Sequence, residues 1–597
     1  MIALAKISGN AATSVFQIKK WLGINEHADG DTRLKLGEAA EMRNWRITDG
    51  GSLQIRPGTK TLFDFDSPVR GMWSGNVKGK QLFVVAAAGK LWTLDMEAQS
   101  KTEIGELTDA HTEFFGYSEK LYVLNGTEYK VYDGETLTDV VGYRPLVVTA
   151  AVPTGGGTLL EGVNKLTGAK RVRYSPDGTS KEFVLPEKDV ASVDFIKNLV
   201  SGEQIAQYTK DLEKGIVTFQ NAPAAGTNTI EIGYTAKSND RATVCKMKFA
   251  EIYNGATDNR VFLYGDGSNS CIYSDIDENG KPTAEYFPDL NVLAAGEANT
   301  PITGMIRHFS RLLVFKSNST YSVQYSTLTL TDGTVTAGFY LTPVNRVIGN
   351  AAYGQVRLVE NNPRTLHGKA LYEWKSSNGY LTADERQAKH ISERISTSLS
   401  GFDLTRVYAF DDDISQEYYL VYDGKALVQN YRQDAWYIYT DFPATCMIRH
   451  DGELYYATET GQLRHISREY RNDDTHNIDA FWRSGSLAFE RDWQRKYSSV
   501  IWVAMMPETG ARVTVSARSN VRSEYPDKVV SYGLATFTRV DFNHFSFGTN
   551  RQAQVQRVRL KVKKATYYQL VFESNSASAT ATIVGTDIQV RYSGNVK

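Results

Sequence analysis

Three cysteines in 597 residues, Cys245, Cys271 and Cys446, are too few and too far apart for a disulfide framework or a CxxC-type zinc site. Their odd number predicts folding in a reducing compartment. Long apolar runs are missing as well, since no stretch approaches the ~18 uninterrupted apolar residues that a bilayer crossing needs. The opening stretch, MIALAKISGNAATSVFQIKKWLG, carries Lys19 and Lys20 where a signal peptide would have its apolar core. Export by that route is not expected. Neither charge sign is in excess, with 67 Lys plus Arg against 68 Asp plus Glu. No global positive field draws the chain to DNA or to an acidic membrane, and sequence-specific nucleic-acid binding is disfavoured.

Catalytic signatures are absent too. GxxxxGK[ST], HExxH and GxSxG do not occur, nor does a GxGxxG opening a helix. Asp411, Asp412 and Asp413 stand together, and Asp275, Asp277 and Glu278 alternate in SDIDENGKP. Hard cations seek such clusters, but the second lacks the later glutamate of a calcium loop, and both read first as solvated turns. His308, His367, His390, His450 and His465 are each solitary, which suits surface or core positions better than metal ligation. The surviving enzymatic route is a pair of carboxylates about 5–10 Å apart, as in glycosidases, which the acid content does not exclude. No catalytic, cofactor-binding or metal-binding residue is assigned, and no cofactor is expected.

What the chain does have is β-hairpins. QLFVVAAAGKLWTLD (81–95) and KLYVLNGTEYKVYDG (120–134) each read as two strand-length runs around a small-residue turn. The pattern returns at 260–275, 311–326, 370–383, 417–441 and 453–467, making seven units in all. Recurring hairpins with apolar pairs inside and polar turns outside predict a β-propeller, of about six to eight blades. Helical periodicity is scarce; only 391–403 and 298–309 could carry a turn or two of helix. The 34 tyrosines and 9 tryptophans are mostly core-filling, although such rings also dominate interfaces.

The predicted architecture is therefore all-β, a propeller with an inserted small β-sandwich and a C-terminal β-sandwich. Residues 1–36 are expected as an N-terminal arm, 37–144 as the first part of the propeller, and 241–470 as the second. Between them 145–240, with its Pro-Asp-Gly and Gly-Thr turns, is expected as the inserted sandwich. Residues 471–597 resume long alternating strands and form the C-terminal sandwich. There Arg557, Arg559, Lys561 and Lys563 are most simply the solvated face of a strand. A separate motif stands near the N-terminus, RNWRITDGGSLQIRPG, whose marked residues are Trp45, Arg46, Asp49, Gly50, Arg56, Pro57 and Gly58. Its plain reading is a hairpin that closes the propeller with the last blade; Arg56 before Pro57 is held extended, and Gly58 permits the bend that follows.

EMRNWRITDGGSLQIRPGTK (41–60) resembles a segment of bacteriophage tail proteins. ITGMIRHFSRLLVFKSNSTYSVQYS (302–326) is similar to a blade of the tail hub or nozzle proteins of short-tailed phages, described as DNA-stabilisation protein or tail tubular protein B. It departs from that pattern where Ser322 or Val323 replaces a glutamate. GNAAYGQVRLVENNPRTLHGKALYEWKSSNGYL and the ending VRLKVKKATYYQLVFESNSASATATIVGTDIQVRY also resemble the family's blade and C-terminal sandwich.

The resemblance implies a structural virion protein, assembled in the host bacterial cytoplasm and residing in the tail. It implies a homo-oligomeric ring, expected as a hexamer, below portal and adaptor proteins and near tail fibre or needle proteins, with double-stranded DNA passing non-specifically through its lumen. No residue need be catalytic. Two other classes remain open: a glycan-binding or glycan-cleaving propeller, in which carboxylates lining the ring would matter, and a host-adhesion tail or baseplate component, in which the insert would face the receptor.

Overall fold

The computed structural model describes residues 13–27, 30–254, 259–329, 331, 335–376, 386–508, 510–532 and 552–596. Its fold is all-β, a β-propeller with an inserted β-sandwich and a C-terminal β-sandwich; among the described residues the blades are six four-stranded sheets and one six-stranded sheet. The blades span 69–106, 113–139, 249–294, 302–345, 357–390 and 408–439, and the seventh joins 444–467 to the strand Gly58–Asp64. Six of the seven hairpin units read from the sequence supply inner strands of one blade; the unit at 370–383 supplies the inner strand Ala370–Ser376, and its residues 377–383 lie outside the described residues. No described helix is long and apolar enough to cross a membrane.

The chain forms two compact units, 1–69 with 357–377 and 387–597, and 70–356 with 378–386. In the first, the sixth blade shows how the hairpins arise. Glu417–Tyr422 and Lys425–Asn430 are almost wholly buried and pair antiparallel, turning at Asp423-Gly424 with φ of 47° and 71°. Two consecutive positive φ values match the twist of the flanking strands, which is why Asp-Gly serves there. In the seventh blade Gly58–Asp64 pairs antiparallel with Gln462–Ser467, so an N-terminal strand completes the blade that ends the propeller sequence.

The C-terminal sandwich has two six-stranded sheets. One joins Trp45–Ile47, Leu53–Ile55, Thr582–Asn595, Gln494–Met505 and Gln554–Ala565, with Thr13–Ile18 paired along Thr582–Asn595 from Thr13↔Arg591 to Ile18↔Thr586. The other contains Gly23–Ile24, Glu38–Arg43, Ala480–Ser484, Tyr568–Ser574, Arg512–Ser519 and Lys528–Ser531. Trp21 packs edge-on against Trp482 with centroids 4.8 Å apart, and Phe572 lies 5.8 Å from Trp21.

These pairings correct several expectations. Residues 13–36 are not a free arm: their strands belong to both sandwich sheets, and Trp21 is fully buried among sandwich aromatics. Residues 1–12 lie outside the described residues. The stretch 37–55 belongs to the sandwich, so the propeller begins at Gly58 and not at 37. Residues 391–403 do contain short helices, Glu393–Ile395 and Ser396–Ser400, but the other helical candidate becomes the strand Ile302–His308. Pairing with Arg311–Lys316 there overrides the local pattern.

In the second unit the insert is a five-stranded sheet from Leu146–Ala151 to Ile230–Ala236 and a three-stranded sheet of Glu182–Val184, Ile216–Phe219 and Tyr208–Asp211. Its core centres on Tyr174, Phe183 and Phe219, with Phe183 ring centroids 5.2 Å from Tyr174 and 4.9 Å from Phe219.

Candidate functional site

The N-terminal motif is a buried charged junction inside the first unit. Its hairpin, Trp45–Ile47 and Leu53–Ile55, adds to the sandwich sheet through Leu53↔Ile583, with Trp45, Ile47 and Leu53 fully buried. The hairpin is therefore not what closes the propeller. That is done by the next strand, which Gly58 opens where a Cβ would meet the Asn472 carbonyl oxygen at 2.4 Å. Asn44 precedes the hairpin at φ 56°, a conformation asparagine tolerates better than most residues. Its side chain donates to Thr440 Oγ1 and the Asp479 carbonyl, each at 2.8 Å, and accepts from the Thr440 N–H at 2.9 Å and Arg56 Nε at 3.0 Å.

The two arginines each meet a buried carboxylate. Arg56 forms a fork with Asp473, Nη1 to Oδ1 at 3.0 Å and Nη2 to Oδ2 at 2.5 Å, and Asp473 also accepts from Thr59 Oγ1 at 3.0 Å. Arg46 Nη2 lies 3.0 Å from Glu417 Oε1, and Glu417 accepts the hydroxyls of Tyr419, at 2.6 Å, and Tyr437. Burial opposes the positive charge on both arginines, but Glu417 and Asp473 outweigh it and hold both pKa values above the ordinary arginine value. Burial together with the Glu417 charge raises Tyr419 and Tyr437 well above the usual phenol value, so both remain protonated donors. Asp49 and Gly50 form the exposed turn: the Asp49 carboxylate is only 3.9 Å from Arg432, while its carbonyl accepts from Gln433 Nε2 at 2.6 Å. Pro57 and Arg46 line a polar cavity of about 280 Å³ with Asp412, Glu417, Arg449 and Glu453.

That cavity is the best place to look for paired-carboxylate chemistry, and its acids are already engaged. Arg449 grips Asp412 through Nε to Oδ1 at 2.5 Å and Nη2 to Oδ2 at 2.7 Å, while Glu453 receives His465 Nε2 at 2.8 Å. A general acid needs a carboxyl poised to hold a proton. Asp411, driven up to about 7 by burial against the partial relief of Arg364, has that property but is not part of the cavity lining. The charges of Asp413 and Asp412 add to the rise at Asp411, while Asp412 itself is held by Arg449. In the second unit Asp277 caps its own turn through the N–H groups of Asn279 and Lys281, both at 2.9 Å. Asp275 pairs with Arg260, and Glu278 reaches Arg171 at 3.0 Å. No group of three or more potential metal ligands occurs among the described residues.

Sequence reasoning found the arginines but not Asn44, Thr440, Glu417 or Asp473. The usable signal was Asn44 itself, the residue between strands best suited to positive φ. The carboxylate partners lie 371 and 417 residues away in the chain and leave no local trace.

No family model and no curated protein matches the chain. Among solved structures it is similar to the AfRom2 CNH domain, with 8% identity over 69% of this chain and 99% of that one at a TM-score of 0.34. A chain of the mitotic checkpoint complex gives 11%, 69%, 94% and 0.32 in the same order. An exo-beta-1,3-galactanase from Phanerochaete chrysosporium gives 9%, 81%, 97% and 0.17. At these values the matches say nothing of activity.

Proposed function

We propose that this chain is a structural subunit of a bacteriophage tail, a ring-forming hub or nozzle component that sits below the portal and adaptor and retains and conducts the genome. The reading rests on the resemblance of 41–60 and 302–326 to that family. The observation that carries it further is the commitment of the motif's charges to internal partners: Arg46 and Arg56 hold sandwich, sixth blade and seventh blade together through Glu417, Thr440 and Asp473. Such a motif builds a rigid body whose work is done by its surfaces. The glycan-cleaving alternative needs two carboxylates free to exchange protons and contact a sugar, whereas Asp412 and Glu417 in the polar cavity are each held by an arginine.

The test is light scattering with negative-stain imaging of the purified chain, alone and with a portal–adaptor complex. Six-fold rings, free or seated on the adaptor, are expected. A monomer that ignores the adaptor and releases sugar from glycans would overturn the proposal in favour of the enzymatic alternative.

A further inference from the structure

The outward face of the first sandwich sheet carries an uncompensated row of cations. Along Gln554–Ala565 burial alternates, with Val558, Leu560 and Val562 inside and Arg557, Arg559, Lys561 and Lys563 exposed. The strand bulges at Lys561, with φ 59°, and its register with Gln494–Met505 shifts on both sides of Val562, yet all four cations stay exposed. None of the four has an ion-pair partner among the described residues, in a protein whose arginines and lysines are elsewhere widely paired. Register brings more groups to the same face. Arg557 stands opposite Trp502, Trp502 opposite Asp587, and Asp587 opposite Gln17. Two rows further along, Tyr497 stands opposite Arg591, whose guanidinium lies over the ring at 5.3 Å, and Arg591 stands opposite Thr13. Asp587 is the single acid among these opposed residues, against Arg557 and Arg591; Arg559, Lys561 and Lys563 on the same strand bring the exposed cations to five.

We infer that this face binds the phosphate backbone of duplex DNA without reading its sequence. Exposed cations along one bulged strand, without ion-pair partners among the described residues, complement a polyanion through charge, and a sheet face offers no helix to enter a groove and reach base edges. A single strand is disfavoured by the aromatics: Tyr497 is half-buried and already covered by Arg591, and Trp502 is half-buried in the sheet, so both brace cation stems and offer no open ring for an unstacked base. The net charge of −1 makes the row a local device, which lets DNA be held at one face while the rest of the molecule stays indifferent. The inference goes beyond the tail reading, because a single copy suffices for binding.

The experiment is fluorescence anisotropy of the full-length protein with an end-labelled duplex of about 30 base pairs across ~50 to ~200 mM NaCl. Five phosphate contacts predict a slope of log K against log salt of about −4 to −5. Arg557→Ala/Arg559→Ala should lower the slope magnitude by about 1.8 and affinity by about ten-fold or more at low salt. The Arg557→Lys/Arg559→Lys protein should bind within about three-fold of the parent, because position and charge matter here and bidentate geometry does not. Lys214→Ala/Lys237→Ala, which removes two exposed cations from the insert, should change nothing.

Absence of binding at low salt, equal loss in the insert variant, or preference for a single strand or for heparin over the duplex would each overturn the inference. Thermal melting of every variant shows whether it is folded. Light scattering on the same samples separates the two readings: a monomer that binds duplex contradicts the tail proposal alone, and rings that ignore duplex contradict this one alone.

Discussion

Two sets of basic residues in the same sandwich have opposite fates. Arg46 and Arg56 are buried and each faces a buried carboxylate, whereas Arg557 to Lys563 are exposed and unpaired among the described residues. The local sequences give little warning, since Arg46 lies on a strand as the exposed cations do, and Arg56, in the connection after Leu53–Ile55, also follows an apolar residue. Environment decides the role. A buried arginine must be matched because leaving either partner alone costs several kcal/mol, while an exposed one is free to meet a ligand.

The strongest way to break the comparison is at Arg56. Arg56→Met leaves Asp473 buried without its fork and should cost about 3–5 kcal/mol in denaturant unfolding, with part of the loss recovered by adding Asp473→Leu. A loss below about 1 kcal/mol would mean that the pair is not the clasp described. Arg46→Met should cost less, about 2–3 kcal/mol, because Glu417 keeps two tyrosine hydroxyls. Gly58→Ala drives a Cβ against the Asn472 and Tyr470 carbonyl oxygens and should cost about 1–3 kcal/mol.

Asp411 gives a pH-dependent effect. Burial raises its folded pKa to about 7, above its unfolded value, so the folded chain binds the extra proton between the two. Stability from this group is therefore present at acid pH and lost as pH rises through about 7. Asp411→Asn should flatten that fall in a pH series of melting curves; an unchanged profile would assign the fall to other groups. The smallest effect is at Asp49, which stands in the same motif as the arginines but is exposed and 3.9 Å from Arg432. Asp49→Ala should cost less than about 1 kcal/mol, so the motif's importance would divide by burial and not by sequence proximity.

Much of the fold was legible because hairpins write their own signal. Apolar runs flanking Asp423-Gly424 announce strand, turn and strand in adjacent residues, and that unit holds inner strands of the sixth blade. Pairing between distant segments was not legible. Thr13–Ile18 alternates exposed and half-buried residues, as a sheet's outer strand does, but its partner begins at Thr582, so the stretch reads as a polar arm. The motif's charged residues stood out, yet their carboxylates lie far along the chain in the first unit. The cations of 557–563 were visible and their exposure was read correctly. Only the register with Tyr497, Asp587 and Arg591 shows that little on that face neutralises them.

One set of charges holds the first unit together and the other is turned outward, where we infer it meets DNA. The most direct test measures unfolding free energy and duplex affinity in parallel for Arg56→Met and for Arg557→Ala/Arg559→Ala. A crossed result is expected: the first variant loses about 3–5 kcal/mol of stability and keeps its affinity per folded molecule, and the second stays within about 0.5 kcal/mol of the parent while its affinity falls. Equal stability losses in both, or affinity lost only through unfolding, would contradict it.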